Sequence, residues 1–364
     1  MGVLRTARPV RKLALFRMCG HEIVLNYFEK LMSTRPSLSG RFNCSNNISR
    51  KEANVSLFEL LMPYILAGVS IGGQYALIAI GYSMVYSILR LINFAHGDVF
   101  MVSGLFMVFV AATLPLYIAI PLVILLIVAL GFAIERIAYA PLRSAPRMSV
   151  MISAIGVSYL LQNLALYITG GLNRMYPAIP WISDPITVFG VATRRVTVIT
   201  PFLVLVLVVA LVWFINNTKM GIAMRAVAKD FDTSQLMGIK INSVISATFI
   251  IGSFLAAVGS ILFFTSFPGV FPAAGAMPGL KAFVAAVFGG IGSIPGAVIG
   301  GLLIGISESF IRGGDIILGQ AGLGIISTHL ELSTFSDAFT FVLLVLILVF
   351  KPTGLFGDKP ADKV

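Results

Sequence analysis

A succession of apolar runs, each about long enough to cross a lipid bilayer, constrains this chain more than any other feature. Leu57–Ile80, Leu116–Ile134, Pro201–Ile215 and Phe339–Phe350 with its flanks are the clearest. The hydrocarbon layer is roughly 30 Å thick, and a helix rising about 1.5 Å per residue needs about 20 residues to span it. No water reaches backbone N–H and C=O groups there, so a spanning segment must satisfy them internally, as a helix does. Composition agrees, with 58% hydrophobic and 11% charged residues, where soluble domains carry roughly 25% charged residues. A soluble globule of this composition would lack the polar surface to cover itself. The expected fold class is all-α: a polytopic membrane helical bundle of about eight to ten crossings, with broken or re-entrant segments.

Apolar segments fall near 57–82, 97–113, 116–137, 149–170, 199–215, 244–266, 279–291, 295–310 and 337–350. They belong to one membrane domain, residues 55–351, followed by a short tail, 352–364. Residues 1–54 differ in kind: they are polar, rich in Ser, Asn and Arg, and weakly patterned, which reads as disorder. They contain no long apolar core of a signal peptide. They are either a genuine cytoplasmic extension or the product of a start placed upstream of a protein that begins near Val55 or Met62. Residues 1–51 hold ten of the chain's 26 basic residues and two acidic ones. Retention in the cytoplasm by the positive-inside rule accounts for that surplus more simply than a nucleic-acid partner does. Cys19 and Cys44 have neither metal-ligand spacing nor the number for a disulfide framework.

Loop charge sets an orientation. Residues 139–148, with Arg143 and Arg147, and 216–243, with Lys219, Arg225, Lys229 and Lys240, read as cytoplasmic. So does the C-terminus, with Lys351, Lys359 and Lys363. Residues 171–198, anchored by Trp181, and 311–337, where Asp315, Glu331 and Asp337 outweigh Arg312, read as outer loops. The alternation requires two passages over 279–310, divided by the glycines from Gly289 to Gly296 and by Pro295. Upstream, three segments lie between 57 and 137, where a cytoplasmic tail demands an even number. Leu57–Leu89 doubles back near Gly72-Gly73, or one segment is re-entrant, or the tail lies outside.

Catalytic patterns are missing from the chain. It has no phosphate-binding G-x-x-x-x-G-K-[ST], no H-E-x-x-H, no Ser/His/Asp grouping and no carboxylate pair in the membrane. No catalytic residue, metal site or cofactor is expected here, and any ATP must be bound by another chain. Asn93, His96 and Asp98 form a polar turn between two apolar runs. Either it lines a translocation path, or Asn93 or Asp98 caps the next helix. Gln162 and Asn163, adjacent amides in an apolar run, are either interhelical packing contacts or a polar lining. Gly289, Gly290, Gly292 and Pro295 mark irregular backbone, tolerated at membrane depth only where protein or a water-filled cavity shields it. Ala223–Met237 contains good helix formers without Gly or Pro, and Gly238 stands where a helix-ending glycine belongs. Arg225 and Lys229 share one face of it. Such a helix is a docking element for a soluble partner or lipid headgroups, or simply a solvated surface.

The chain resembles the permeases of branched-chain amino acid ABC importers, in particular the shorter of their two types. The resemblance covers about residues 60–360. It rests on Gly73–Tyr82, Ile92–Asp98, Glu135-Arg136 with Tyr139–Arg143, Ser153–Gly156 with Leu161–Asn163, Met220-Gly221 with Arg225-Ala226 and Asp230, Phe283–Gly301, and Lys351–Gly357. It implies that the 220–239 loop couples to an ATPase subunit through Arg225, Ala226, Lys229, Asp230, Ser234 and Gly238. Ser234 stands where that family usually has Ala, and Ala140 replaces a common basic residue before Pro141. The implied partners are a second homologous permease, two ATPase subunits that carry ATP and Mg, an extracytoplasmic substrate-binding protein and membrane lipid. The implied setting is the bacterial inner membrane. The rival reading is an ion-coupled secondary transporter acting alone, which the expected lack of Asp or Glu within the spans opposes.

Overall fold

The computed structural model describes residues 57–320 and 332–356, apart from Ser144, Phe189 and Pro352. In chain order the helices are α1 (Leu57–Leu89), α2 (His96–Ala111), α3 (Leu116–Ile134), α4 (Arg147–Thr169), α5 (Arg195–Asn217), α6 (Lys219–Lys229), α7 (Phe231–Leu236), α8 (Ile241–Ser266), α9 (Ala276–Gly289), α10 (Ile294–Gln320) and α11 (Ser336–Phe350). A single helical turn, Pro180–Ser183, lies between α4 and α5. Every apolar segment read from the sequence is a helix. Six spans among the described residues are long and apolar enough to cross a membrane, and α2, α9 and α11 are shorter apolar helices.

The core is built around α1. Gln74, Ala76, Leu77, Ile78, Ala79 and Ile80 on α1 are all fully buried. Helix α10 lies against it at backbone contact. A Cβ at Gly68 would stand 2.8 Å from the Ile306 Cα, one at Gly72 2.8 Å from the Leu302 Cα, and one at Gly301 2.7 Å from the Ala76 nitrogen. Gly68 and Gly72, like Gly301 and Gly305, are spaced four apart, the small-residue pattern that lets membrane helices approach closely. Gly72 therefore seats α10 and does not bend the chain: α1 is one unbroken 33-residue helix, which removes doubling back from the three alternatives left open by the sequence.

Helix α8 gives the directions of its neighbours. Gly81 of α1 meets Gly252, while Leu77 and Ile78 meet Gly259, so the two helices are antiparallel. His96 meets Gly252 and Gly104 meets Phe264, so α2 runs parallel to α8. Gly131 meets Ser253 and Glu135 bonds Ser246, so α3 is antiparallel. Three alternating passages thus separate Leu57 from Arg143. Helix α2 starts beside Gly81, about 12 Å along α1 from Leu89 by helical rise, so it begins inside the bundle. Lipid-type surfaces fall on α3, α4 and α5, which expose Leu125, Leu160, Tyr167, Phe202 and Trp213.

Two loops depart from the sequence reading. Between α4 and α5 the chain is ordered: β1 (Arg174–Met175) pairs with β4 (Gly269–Val270), and β2 (Pro185–Val188) forms a hairpin with β3 (Val191–Arg194). The supposed outer loop at 311–337 begins as helix, because α10 continues to Gln320. Glu331, Lys359, Lys363 and residues 1–54 lie outside the described residues.

Candidate translocation and coupling sites

The chain enters α2 through a side-chain-built turn. Asn93 Oδ1 accepts the Ala95 N–H at 3.1 Å and the Tyr139 hydroxyl at 2.6 Å. An Asx turn of this type reverses the backbone locally. His96 then packs edge-on against Tyr82, with ring centroids 4.9 Å apart, and its imidazole fills the space where a Cβ at Gly81 would be. Asp98 is buried, and it reaches across to α4. Its Oδ1 accepts the Gln162 side-chain amide at 2.9 Å, and its Oδ2 accepts the Ser158 hydroxyl. Asn93, not Asp98, makes the turn.

Beside Asp98 lies a cavity of about 180 Å³, lined by Tyr82, Phe94, Gly97, Asp98, Ser158, Gln162, Gly275, Ala276, Gly279, Leu280 and Phe283. Four helices contribute to it: α1, α2, α4 and the first two turns of α9. Asn163 does not join them. It is exposed on the outer face of α4, with its amide bonded to the Tyr159 carbonyl at 2.8 Å. One helical step of about 100° separates adjacent side chains, which is why neighbours in sequence diverge here.

The glycine-rich break does not line this cavity. Gly290 and Gly292 have φ of 104° and 99°, a region that favours glycine. The Gly292 N–H donates to Ser83 Oγ at 2.9 Å. Pro295 is the second residue of α10, where its missing N–H is no loss. Gly289 packs on the Gly296 backbone. The segment after α11 closes the turn: the N–H groups of Leu355 and Phe356 donate to the Phe288 and Gly289 carbonyls, both at 2.9 Å. The last carbonyls of α9, left over by the helix, are thereby satisfied.

The 220–239 coupling loop is two helices, not the one expected. Helix α6 starts earlier than Ala223, at Lys219, and is capped by Thr218, whose hydroxyl oxygen accepts the Gly221 N–H at 3.1 Å. It buries Gly221, Met224 and Val227 and turns Arg225 and Lys229 outward, with Ala226 half-buried. Arg90, at the end of α1, donates to the Ala228 carbonyl at 2.9 Å. Asp230 ends α6 with an extended backbone and caps α7: its Oδ1 accepts the Thr233 N–H at 3.1 Å. Asp is a poor helix-interior residue because its carboxylate competes for backbone donors. Ser234 is buried, with its hydroxyl bonded to the Asp230 carbonyl at 2.6 Å. Gly238, at φ 82°, ends α7 in a Schellman arrangement, with Gly238 N–H to Gln235 O at 3.0 Å and Ile239 N–H to Ser234 O at 3.1 Å. Leu236 and Met237 stand almost fully exposed beside it.

A family model described as branched-chain amino acid transport system, permease component, matches residues 64–349. The chain belongs to that family. The high-affinity branched-chain amino acid transport system permease protein BraD of Pseudomonas aeruginosa is 40% identical over 317 residues, covering 82% of this chain and 97% of that protein. The corresponding protein LivH of Salmonella typhimurium is 37% identical over 320 residues, covering 84% and 99%. The ribose import permease protein RbsC of Haemophilus influenzae is 27% identical over 251 residues, covering 66% and 75%.

This permease also holds buried charges beyond Asp98, which the sequence had singled out. The expectation of no Asp or Glu within the spans is wrong. Asp98, Glu135 and Glu308 are all buried, in or directly beside membrane helices. Lys281 of α9 donates to Glu308 of α10 at 2.8 Å and to Asp337 of α11 at 2.6 Å. Arg312 pairs with Glu308 at 2.5 Å, and the Tyr75 hydroxyl of α1 donates to it at 2.9 Å. Glu135 pairs with Arg143 and accepts from Ser246. Two basic residues facing two acids leave the Lys281 network neutral. A membrane interior tolerates charge in that form.

Proposed function

We propose that this permease is the membrane-spanning subunit of an ABC importer that moves branched-chain amino acids, or a related small polar solute, inward. Membership of the permease family over residues 64–349 carries the reading. An extracytoplasmic binding protein delivers the substrate, and a second homologous permease completes the pore. Two ATPase subunits bind ATP and Mg and dock on α6 and α7. The basic residues of α6 and Lys351 favour a cytoplasmic position for this face and for the C-terminus, in a bacterial inner membrane. The permease itself carries out no covalent chemistry.

The docking face combines exposed Arg225 and Lys229 with the apolar tips Phe231, Leu236 and Met237. Push or pull on it travels to α1 through the Arg90–Ala228 bond. Helix α1 contributes Tyr82 to the wall of the Asp98 cavity, and α4 contributes Ser158 and Gln162. Displacing α1 relative to α4 changes access to that cavity, and no chemical step in the membrane is required. Reconstitution in proteoliposomes tests the reading. Leucine uptake that needs ATP, the ATPase subunits and the binding protein supports it; uptake by this chain alone on an ion gradient overturns it.

A further inference from the structure

Three carboxylates are fully buried among the described residues: Asp98, Glu135 and Glu308. Glu135 has Arg143, and Glu308 has Lys281 and Arg312. Asp98 takes part in none of the ion pairs among the described residues. Two neutral donors, Ser158 and Gln162, hold and aim its carboxylate. An ionised group removed from water and left without a counter-charge is costly at membrane depth. This one borders a cavity of about 180 Å³. A cavity of about 150 Å³ holds a molecule the size of benzene. The space far exceeds what a bare metal ion needs, and its other walls include Phe94, Leu280 and Phe283, apolar side chains that supply no oxygen ligands.

We propose that this cavity is a substrate-binding site within the permease, in which Asp98 is the counter-ion for the ammonium group of an aliphatic amino acid. Ser158 and Gln162 act as positioning residues that orient the carboxylate. The aromatic and aliphatic walls take the apolar side chain. Backbone lies on backbone where Gly97 meets Gly275 and Gly279, and a Cβ at Gly279 would lie 2.9 Å from the Gly97 Cα, so this edge of the cavity is fixed by main chain. The site selects for a primary ammonium, so the permease adds its own filter after delivery. The inference deepens the importer reading and rests on it.

The test uses the assembled importer without its binding protein, held in lipid nanodiscs, with tritiated leucine as the probe. Isoamylamine, which keeps the ammonium, and 4-methylpentanoate, which keeps only the carboxylate, serve as competitors. Wild type should bind leucine saturably; isoamylamine should compete and 4-methylpentanoate should not. D98N should weaken binding at least ~30-fold, the loss typical of truncating a buried charge pair, and D98E should restore most of it. L280W, which fills the cavity from a half-exposed wall, should abolish binding independently of Asp98. Unchanged binding in D98N or L280W, equal competition by 4-methylpentanoate, or no saturable binding by wild type overturns the proposal. ATP-dependent uptake is measured in parallel. If wild-type uptake fails, the importer reading is at fault; if uptake succeeds while binding ignores Asp98, only the ammonium site is.

Discussion

The Lys281–Glu308 pair offers a quantitative test of how this permease holds its broken hairpin together. The two side chains are 3% and 0% exposed and 2.8 Å apart. Removing one partner of a buried pair costs about 3–5 kcal/mol, because the other charge is left stranded. Lys281→Met lies at the low end, about 3 kcal/mol, since Arg312 still reaches Glu308. Glu308→Leu leaves Lys281 to Asp337 alone and strips the Tyr75 hydroxyl of its acceptor, adding about 1 kcal/mol. The double substitution removes both buried charges. What it leaves, Arg312 and Asp337, is 41% and 40% exposed and can be solvated. Replacing a whole buried pair by apolar groups is near neutral, so the double variant should cost no more than about 1–2 kcal/mol, chiefly the Tyr75 term. Equilibrium unfolding in mixed micelles, run on the wild type and the three variants, measures this cycle. Single losses below about 1 kcal/mol, or a double variant that costs the sum of the singles, would refute the argument that this network is a closed, mutually neutralising unit.

Other expectations follow from the geometry. Gly301→Leu forces a side chain into the Ala76 backbone at 2.7 Å, and should cost 3 kcal/mol or more, roughly the upper range for overpacking; the readout is recovery of monodisperse protein. Asp230→Ala removes the cap of α7, about 1 kcal/mol, and should speed hydrogen exchange at Thr233 while reducing substrate-stimulated ATP hydrolysis. Arg90→Ala severs the tie to Ala228 and should lower uptake in proteoliposomes with leucine binding to the permease intact; unchanged uptake means force takes another route. Truncation after Thr353 exposes the Phe288 and Gly289 carbonyls and should raise exchange and proteolysis at 288–293, with α1 unaffected.

Spans and breaks were legible because membrane burial demands long apolar runs and because glycine and proline punctuate them. Every apolar segment is a helix, and the break at 289–296 falls where glycine density put it. What sequence could not supply was partnership across space. Lys281 and Glu308 are 27 residues apart in different helices, and local pattern does not reveal that they neutralise each other. The i, i+4 spacing of Gly68–Gly72 and Gly301–Gly305 was in the sequence; it acquires meaning only once the two pairs face one another. The coupling segment was misjudged at Asp230 for a local reason: without Gly or Pro the stretch looks continuous, yet an Asp that can accept the Thr233 N–H ends one helix and starts another. At the candidate site, Gln162 and Asn163 were grouped by adjacency, whereas helical geometry sends one towards Asp98 and the other outward.

The glycine seam between α1 and α10 has a mechanical consequence. Where backbone lies on backbone there are no rotamers to reshuffle, so the seam has no graded set of alternative fits and resists shear. Helices α4 and α5 bury only a minor share of their apolar length against the other described residues, so fewer contacts oppose their displacement. Any change of shape during a transport cycle is thus channelled to the α4 and α5 side, with α1 and α10 travelling as one welded strut.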